Sequence, residues 1–194
     1  MNQELFARSR QQARGLSKGD DCQALLESSF SQLCAVSNRI VLLDRFAVAD
    51  AIRAHEKNAQ SSGLQKLLKL ADAGGVGLVQ LHTAEGFKNG GRVVQAADIP
   101  ALLVSLIKPL NLANLGLEVV VQSKSVGARE FHDRSVGFVW SSAGGVSFSL
   151  GKGMAQFDGV TVSQDHDLLR KSHRKVIMLS TRLCNLARVR VRVL

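Results

Sequence analysis

The feature that most constrains the fold of this chain is the alternation of buried strands with helices. Three apolar runs of strand length, "NRIVLLDRF", "VGLVQLHTAE" and "GLEVVVQSK", follow one another along the sequence. Helical periodicity surrounds them: Asp21 to Val36 precedes the first run, two helices divided near residues 60–63 follow it, and "IPALLVSLIKPL", with Asp98 as its predicted N-cap, follows the second. Since parallel strands are joined by right-handed crossovers, this order predicts a central sheet with helices packed on it.

The predicted class is therefore α/β, in the sense of a mixed α+β domain with a central, mostly parallel sheet flanked by helices. A chain of 194 residues, 45% of them hydrophobic, suffices for one core, which we assign to residues 21–194. Residues 1–20 have no clean period and are predicted to be a flexible or weakly helical leader. They lack the apolar region of a secretory signal, and no apolar run approaches the roughly 20 residues that span a bilayer, so the sequence predicts a cytoplasmic protein.

Several classes of site have no motif in this chain. The three cysteines form no C-x-x-C pair, which argues against a zinc site or a disulfide framework. No Walker A run occurs, and the first strand is followed by "DRFAVAD" rather than by a glycine fingerprint. The aromatic content of 5%, without tyrosine, argues against a base-stacking platform. We therefore predict neither a metal nor a cofactor.

Positive charge is concentrated near the C-terminus. The net charge is +9, and from Leu168 onward there are eight basic residues and no acid, so that 17 basic residues face 16 acids in the remainder. Such a field attracts polyanions, either nucleic acid or an anionic lipid surface. The alternative is a solvated basic helix followed by an arginine-studded edge strand. The predicted polyanion-binding residues are Arg170, Lys171, His173, Arg174 and Lys175.

The stretch "REFHDRSVGFVWSSAGGVSFSLGKG" carries the densest group of candidate site residues. His132 and Arg134 are two apart in a predicted strand and so share a face, as do Ser147 and Ser149 in the next strand. If the strands pair as a hairpin, all four side chains are expected on one surface, which is the chemistry that a phosphoryl group requires. The alternative is an ordinary hairpin with a structural histidine.

The loop after this hairpin supports the phosphate interpretation. Gly151, Lys152 and Gly153 would let backbone N–H groups and an ammonium approach an anion closely. With Ser149 they form the predicted phosphate-binding set. At the ends of the earlier strands, Asp44 and Arg45 fit an internal ion pair as well as a ligand site, and His82 fits a capping or core role better than a ligand role.

These residues resemble the phospholipase D superfamily, whose half-site motif is His-x-Lys, four residues and Asp, then Gly-Ser-x-Asn on the next strand. The closest likeness is to the phospholipase-D-like C-terminal domain of MIT-domain proteins. Its "HDR" strand, Trp-containing turn and glycine-basic-glycine element have counterparts here in "FHDR", Trp140 and "LGKG", and the basic segment "DHDLLRKSHRK" follows. The resemblance covers residues 29–179 and implies a phospholipase D-like half-domain.

The resemblance also implies roles for individual residues. Phospholipase D enzymes use two such histidines without a metal, one as the nucleophile, so His132 would be catalytic only in a homodimer, with Arg134 as the phosphate clamp. The chain departs from the motif: Arg134 replaces the lysine, Val139 stands where the aspartate is expected, and Gly-Ser-x-Asn is absent. The MIT-domain relatives are implied to be non-catalytic dimers that bind acidic phospholipid surfaces.

Two functions from different classes follow from the sequence. The first is a phospholipase D-like phosphodiester-binding domain for nucleic acid, degenerate or dependent on a homodimer for catalysis. The second is a non-catalytic module that binds anionic membrane lipid or a protein partner. A partner protein that orders residues 1–20 is a further candidate.

Overall fold

The structure is a computed structural model that describes residues 15–57, 61–130, 134–141 and 144–194. The helices are α1 (Cys22–Val36), α2 (Ala47–Glu56), α3 (Gly63–Ala73), α4 (Ile99–Ile107), α5 (Lys124–Glu130) and α6 (His173–Asn185). The strands are β1 (Gly15–Leu16), β2 (Arg39–Leu43), β3 (Leu78–Ala84), β4 (Lys88–Asn89), β5 (Arg92–Val93), β6 (Gly116–Gln122), β7 (Ser135–Val139), β8 (Gly145–Ser149), β9 (His166–Asp167), β10 (Leu169–Lys171) and β11 (Val189–Arg192). The predicted helices α1 to α4 and strands β2, β3 and β6 are confirmed to within about two residues, whereas α5, β4 and β5 were not predicted. The predicted strand that holds His132 and Arg134 begins outside the described residues, and β7 starts only at Ser135.

The central sheet has seven strands in the order β10-β8-β7-β2-β3-β6-β11. Only β2 with β3 and β3 with β6 pair in parallel, whereas the other four pairings are antiparallel. The mixed α/β class is confirmed, but the prediction of a mostly parallel sheet is wrong. The reason is local: β7 and β8 are joined by a short connection, which can only link antiparallel strands, and β7 adds beside β2 in the opposite direction.

The sheet is covered on both faces, and the alternation of strand residues decides which side chain belongs to which face. Ile40 and Leu42 of β2 lie in the larger core with α1, α2, α3 and α4, while Val41 and Leu43 lie in a smaller core with Val176 and other residues of α6. Residues 40–43 are at most 1% exposed because both faces are covered. Among the described residues, no helix has the length and apolar character needed to cross a bilayer.

The leader ends earlier than the sequence predicts. Gly15 and Leu16 form β1, which pairs antiparallel with β9. Leu16 is 1% exposed and belongs to the larger core. Burial of this leucine explains why the segment is fixed to the domain although it has no repeating pattern. Residues 1–14, the remainder of the predicted leader, lie outside the described residues.

Four phenylalanines form the centre of the larger core. Phe30 of α1 lies with its ring centroid 5.1 Å from that of Phe138 in β7, 5.8 Å from that of Phe148 in β8 and 6.4 Å from that of Phe157. Tilted and edge-to-face pairs at such distances add to the burial of the rings themselves. This cluster holds α1 against the antiparallel half of the sheet.

Replacing Phe30 with alanine should therefore destabilise the fold strongly. We expect the free energy of unfolding to fall by about 3–5 kcal/mol, the usual loss for a large side chain removed from a packed core. Urea denaturation followed by circular dichroism measures this change. The matched control is Val160→Ala, because Val160 is 55% exposed and should change the stability little. A loss below 1 kcal/mol for Phe30→Ala would contradict the packing described.

Candidate functional site

Of the two central residues of the predicted site, His132 and Arg134, the structure describes Arg134. His132 lies outside the described residues. Arg134 lies directly before β7, at the end of the sheet where β2 finishes, since Ser135 pairs with Leu43. The next residue after β2 is Asp44, so a guanidinium and a carboxylate meet at this edge.

Asp44 is the buried centre of this edge. Its side chain is fully buried, with Oδ2 accepting a hydrogen bond from the Met154 N–H at 2.7 Å and Oδ1 accepting one from the Phe46 N–H at 3.1 Å. Burial raises the pKa of Asp44 from 3.8 to about 6, and the two N–H groups and the nearby Arg134 oppose that rise. The contacts of the carboxylate with two separate segments fix the turn after β2 to the loop after β8.

Arg134 is held against that loop. Its Nη1 donates a hydrogen bond to the Lys152 carbonyl, and its guanidinium carbon lies 5.5 Å from the centroid of the Phe46 ring. Gly153 has φ of +74°, and a Cβ there would lie 2.1 Å from Asp44 Oδ2 and 2.7 Å from Arg134 Cδ. Only glycine therefore fits between these two side chains. The loop is tightly packed on the acid and the arginine.

The loop donors are largely engaged within the chain. The Gly153 N–H donates to the Leu150 carbonyl at 2.8 Å, and Lys152 Nζ donates to Gln164 Oε1. Gly151, with φ of +51°, makes the turn between them. An anion at this loop would have to exchange the Lys152–Gln164 contact for its own, which is inexpensive at an exposed site.

The hairpin register separates Ser149 from Arg134. Ser149 lies directly opposite Ser135 and therefore shares its face, the α6 side, whereas Arg134 alternates to the other face. The expectation that Ser147, Ser149 and Arg134 gather on one surface is wrong for the described residues. If the pairing were shifted by one residue, Arg134 would lie opposite Ser149 and the two side chains would share a face. The sequence does not specify which of the two registers forms.

His173 contacts the opposite end of the same hairpin. It is the first residue of α6, half-buried, and its Nδ1 lies 2.9 Å from Ser147 Oγ. A Cβ on Gly145 would lie 2.1 Å from His173 Nε2, so the imidazole packs on the start of β8. Burial lowers the pKa of His173, and a hydrogen bond with the Val146 backbone opposes this. The ring is packed on the sheet, unlike the exposed Arg174 and Lys175 that follow it.

Ion pairs neutralise three arginines of the basic C-terminal segment. Arg182 pairs with Glu130 at 3.1 Å, Arg188 with Glu85 at 3.1 Å and Arg190 with Glu118 at 2.5 Å. The alternative interpretation of the charge pattern, a basic helix followed by an arginine-studded edge strand, describes α6 and β11 correctly.

Two basic residues of the same segment differ from these arginines. Arg174 and Lys175 are exposed in the first turn of α6, and within the described ranges neither has an acidic partner. Arg170 and Lys171 lie in β10, at the other edge of the sheet.

The predicted phosphate-binding loop and the predicted polyanion-binding residues of α6 lie at different ends of β8, while Arg170 and Lys171 lie beside the strand, opposite Phe148 and Ser147. Gly151 and Gly153 follow the end of the strand, whereas His173 contacts its first residue. Because β8 has five residues and a strand rises about 3.3 Å per residue, ~13 Å separates the two places. The loop at Gly151 to Gly153 and the first turn of α6 are therefore two separate sites at the two ends of β8, and β10 pairs with that strand.

A polar network under α6 was not predicted from the sequence. His82 Nε2 lies 2.8 Å from Ser180 Oγ, which donates to Gln80 Oε1 at 2.8 Å, and Gln80 Nε2 donates to Glu118 Oε2 at 2.5 Å. His82 is fully buried, and burial lowers its pKa to about 3, so the imidazole is neutral. The signal was available: Gln80 and His82 alternate with apolar residues and must share a face. The core role favoured for His82 agrees with this burial.

Comparisons with family models, curated proteins and solved structures find no match to this chain. The likeness to the phospholipase D superfamily therefore rests on the residues quoted above. Within the described ranges, no three histidine, cysteine, aspartate or glutamate side chains are placed to hold a metal ion.

The buried carboxylate of Asp44 should make stability depend on pH. Because its pKa is raised to about 6 in the folded state, folding favours the protonated form, and stability should fall as the pH rises from about 4 to about 6. Asp44→Asn removes this titration, so the fall should become shallower. Urea unfolding at intervals between pH 4 and pH 7 measures the slope.

Asp158 provides the matched comparison, since burial raises its pKa to about 6 as well. Asp158→Asn should likewise make the fall of stability between pH 4 and pH 6 shallower, and the double variant should make it shallower than either single variant. A slope that is unchanged in Asp44→Asn would contradict the assignment.

Proposed function

We propose that this chain is a phospholipase D-like phosphodiester-binding domain that binds nucleic acid and is degenerate, or dependent on a homodimer, for catalysis. The observation that carries the proposal is the positive charge of Arg174 and Lys175 in the first turn of α6, which has no acidic partner among the described residues. The edge that bears Arg134 and Lys152 supplies a second group of cations.

Cations in the first turn do not serve the helix itself. The N-terminal end of a helix carries a partial positive charge, so Arg174 and Lys175 are placed where they cost stability, and α6 has no acid in its first turn. A phosphate bound there would interact favourably with both the side chains and the helix end. A phosphate-binding role accounts for a placement that folding does not favour.

The edge around Arg134 suits a phosphodiester in a different way. Its guanidinium is oriented by the Lys152 carbonyl and the Phe46 ring, and Lys152 is exposed beside it. A planar guanidinium held in place can clamp two phosphate oxygens. A strand of nucleic acid repeats its phosphate along its length, so it offers a separate phosphate to each of the two groups of cations.

Removal of the positive charges of Arg174 and Lys175 should weaken nucleic acid binding. For Arg174→Gln with Lys175→Gln, we expect the slope of log affinity against log salt on duplex DNA to fall by about 2, since each lost phosphate contact accounts for about 0.9. Fluorescence anisotropy across a salt series measures it. The control is Arg182→Gln with Arg188→Gln, which removes the same formal charge from residues that pair with Glu130 and Glu85. Equal losses in both pairs would indicate non-specific attraction.

An exposed methionine favours a second candidate, binding to an anionic membrane surface. Met178 is 62% exposed, one turn after Arg174 and Lys175 and one turn before Arg182. An apolar side chain among cations on one helix face is typical of peripheral contact with anionic lipid. Liposomes containing phosphatidylserine or phosphoinositides test this candidate. Met178→Ser should reduce liposome binding and leave DNA binding unchanged if lipid is the ligand.

Catalysis is the part of the proposal that depends on His132. We expect purified protein to bind labelled DNA and RNA without forming products, with or without EDTA, and His132→Ala to leave binding unchanged, because the motif lacks its aspartate and its Gly-Ser-x-Asn element. Gel analysis of the products measures turnover. Metal-independent cleavage that is lost in His132→Ala would instead show an active enzyme. Light scattering would then have to show a dimer, since a monomer has only one such histidine.

A further inference from the structure

A pocket on the α6 face of the sheet, at the end where β2 begins, has no role in the proposed function. We propose that it binds a phosphoryl group, as free phosphate or as the terminal phosphate of an ester. The pocket has a volume of about 200 Å³ and is lined by residues of β2, β3, α6 and β11, among them Arg39, Gln80, Ser180, Cys184, Asn185 and Arg190.

Arg39 is the group that most needs a ligand. It is half-buried at the first position of β2, and in the described parts of the chain its guanidinium makes neither a hydrogen bond nor an ion pair. A guanidinium carries five N–H donors, and withdrawing it from water without partners is unfavourable. Arg39 lines the pocket, and its charge acts on Cys184 there: burial and Glu118 raise the pKa of the thiol, while Arg190 and Arg39 oppose that rise.

A second arginine lines the pocket from β11. Arg190 Nε donates to Glu118 Oε1 at 2.5 Å, while its terminal nitrogens make no hydrogen bond within the described residues. Glu118 is engaged on its other oxygen by Gln80, so both of its carboxylate oxygens are hydrogen-bonded to residues that line the pocket. Arg39, Arg190 and Glu118 together leave one positive charge for a ligand.

Size and donor geometry select the ligand class. Pockets for drug-sized molecules have volumes of about 300–1,000 Å³, so a cavity of about 200 Å³ suits a small group. Arginines contributed by two different strands favour a tetrahedral oxyanion, whose oxygens point in several directions, over a planar carboxylate. The exposed amide of Asn185, which has no partner among the described residues, adds a neutral donor.

This pocket stands apart from the proposed function, because it includes neither the first turn of α6 nor the loop that carries Lys152. Free phosphate and a terminal phosphate on an oligonucleotide offer it the same chemistry. Calorimetric titration of the whole protein with inorganic phosphate tests the first source. Competition between 5′-phosphorylated and 5′-hydroxyl oligonucleotides tests the second.

The expected result is phosphate binding that depends on Arg39. In Arg39→Gln the affinity for inorganic phosphate should be at least about tenfold weaker, as expected for the loss of a charged hydrogen bond. Asn185→Asp, at an exposed position, should also weaken it by placing a negative charge at the pocket. The control is Arg92→Gln, because Arg92 lines a different cavity and pairs with Asp98. Circular dichroism confirms that each variant is folded.

Three outcomes would overturn the proposal: no phosphate binding by the wild type, equal binding of acetate, or unchanged affinity in Arg39→Gln. The outcome for nucleic acid is separate. If oligonucleotides bind through Arg174 and Lys175 while inorganic phosphate does not bind, the pocket proposal fails and the proposed function stands. If inorganic phosphate binds and oligonucleotides do not, the pocket proposal stands and the proposed function fails.

Discussion

The structure depends on covering both faces of β2. Residues 40–43 are buried on both sides of the sheet, so a helix is required on each face. On one face α1 and its phenylalanine contacts supply the cover, with α2, α3 and α4 around it. On the other face Val176 and Leu183 of α6 complete the smaller core. The helix that carries Arg174 and Lys175 is therefore also the helix that closes the fold, and its position cannot vary without exposing β2.

On β3 and β6, the face of the sheet that lies under α6 carries four polar residues, whereas the opposite face of these strands is mainly apolar. Gln80, His82, Glu118 and Gln122 all point toward α6, and their burial has to be compensated by hydrogen bonds. Ser180 and the Leu183 carbonyl of α6 supply two of these partners. The compensation is incomplete, because His82 Nδ1 and Gln122 Oε1 are buried and have no hydrogen-bond partner in the described part of the chain. A covering helix held by such a network has a fixed register on the sheet, which fixes the place of Arg174 and Lys175.

The sequence predicted the elements better than their arrangement. Periodicity and caps located α1, α3 and α4 because those signals are local, and β2, β3 and β6 were recognised as buried strands from continuous apolar runs. The parallel pairing of β2, β3 and β6 was predicted, but the prediction of a mostly parallel sheet was wrong, since nothing in "SVGFV" or "GVSFS" states which neighbour each strand will join. The same limit applies to the candidate site. Arg134 and the loop at Gly153 were singled out, but Asp44 was weighed as an ion pair with Arg45 or as a ligand site and not as a partner of that loop, because a contact across 110 residues has no sequence signature.

Ion pairing within the fold does not change the net charge of +9, but it decides which basic residues have an acidic partner. The sequence places nearly all of the excess after Leu168, yet Glu85, Glu118 and Glu130, which precede that point, are used by Arg188, Arg190 and Arg182. Among the described residues Arg39 has no acidic partner, and it lies on the face of the sheet that α6 covers. The excess is thus divided between an exposed helix turn, which suits an extended polyanion, and a half-buried pocket, which suits a small one. Linear charge patterning reports the amount of unpaired charge, and only the three-dimensional pairing assigns it to particular residues.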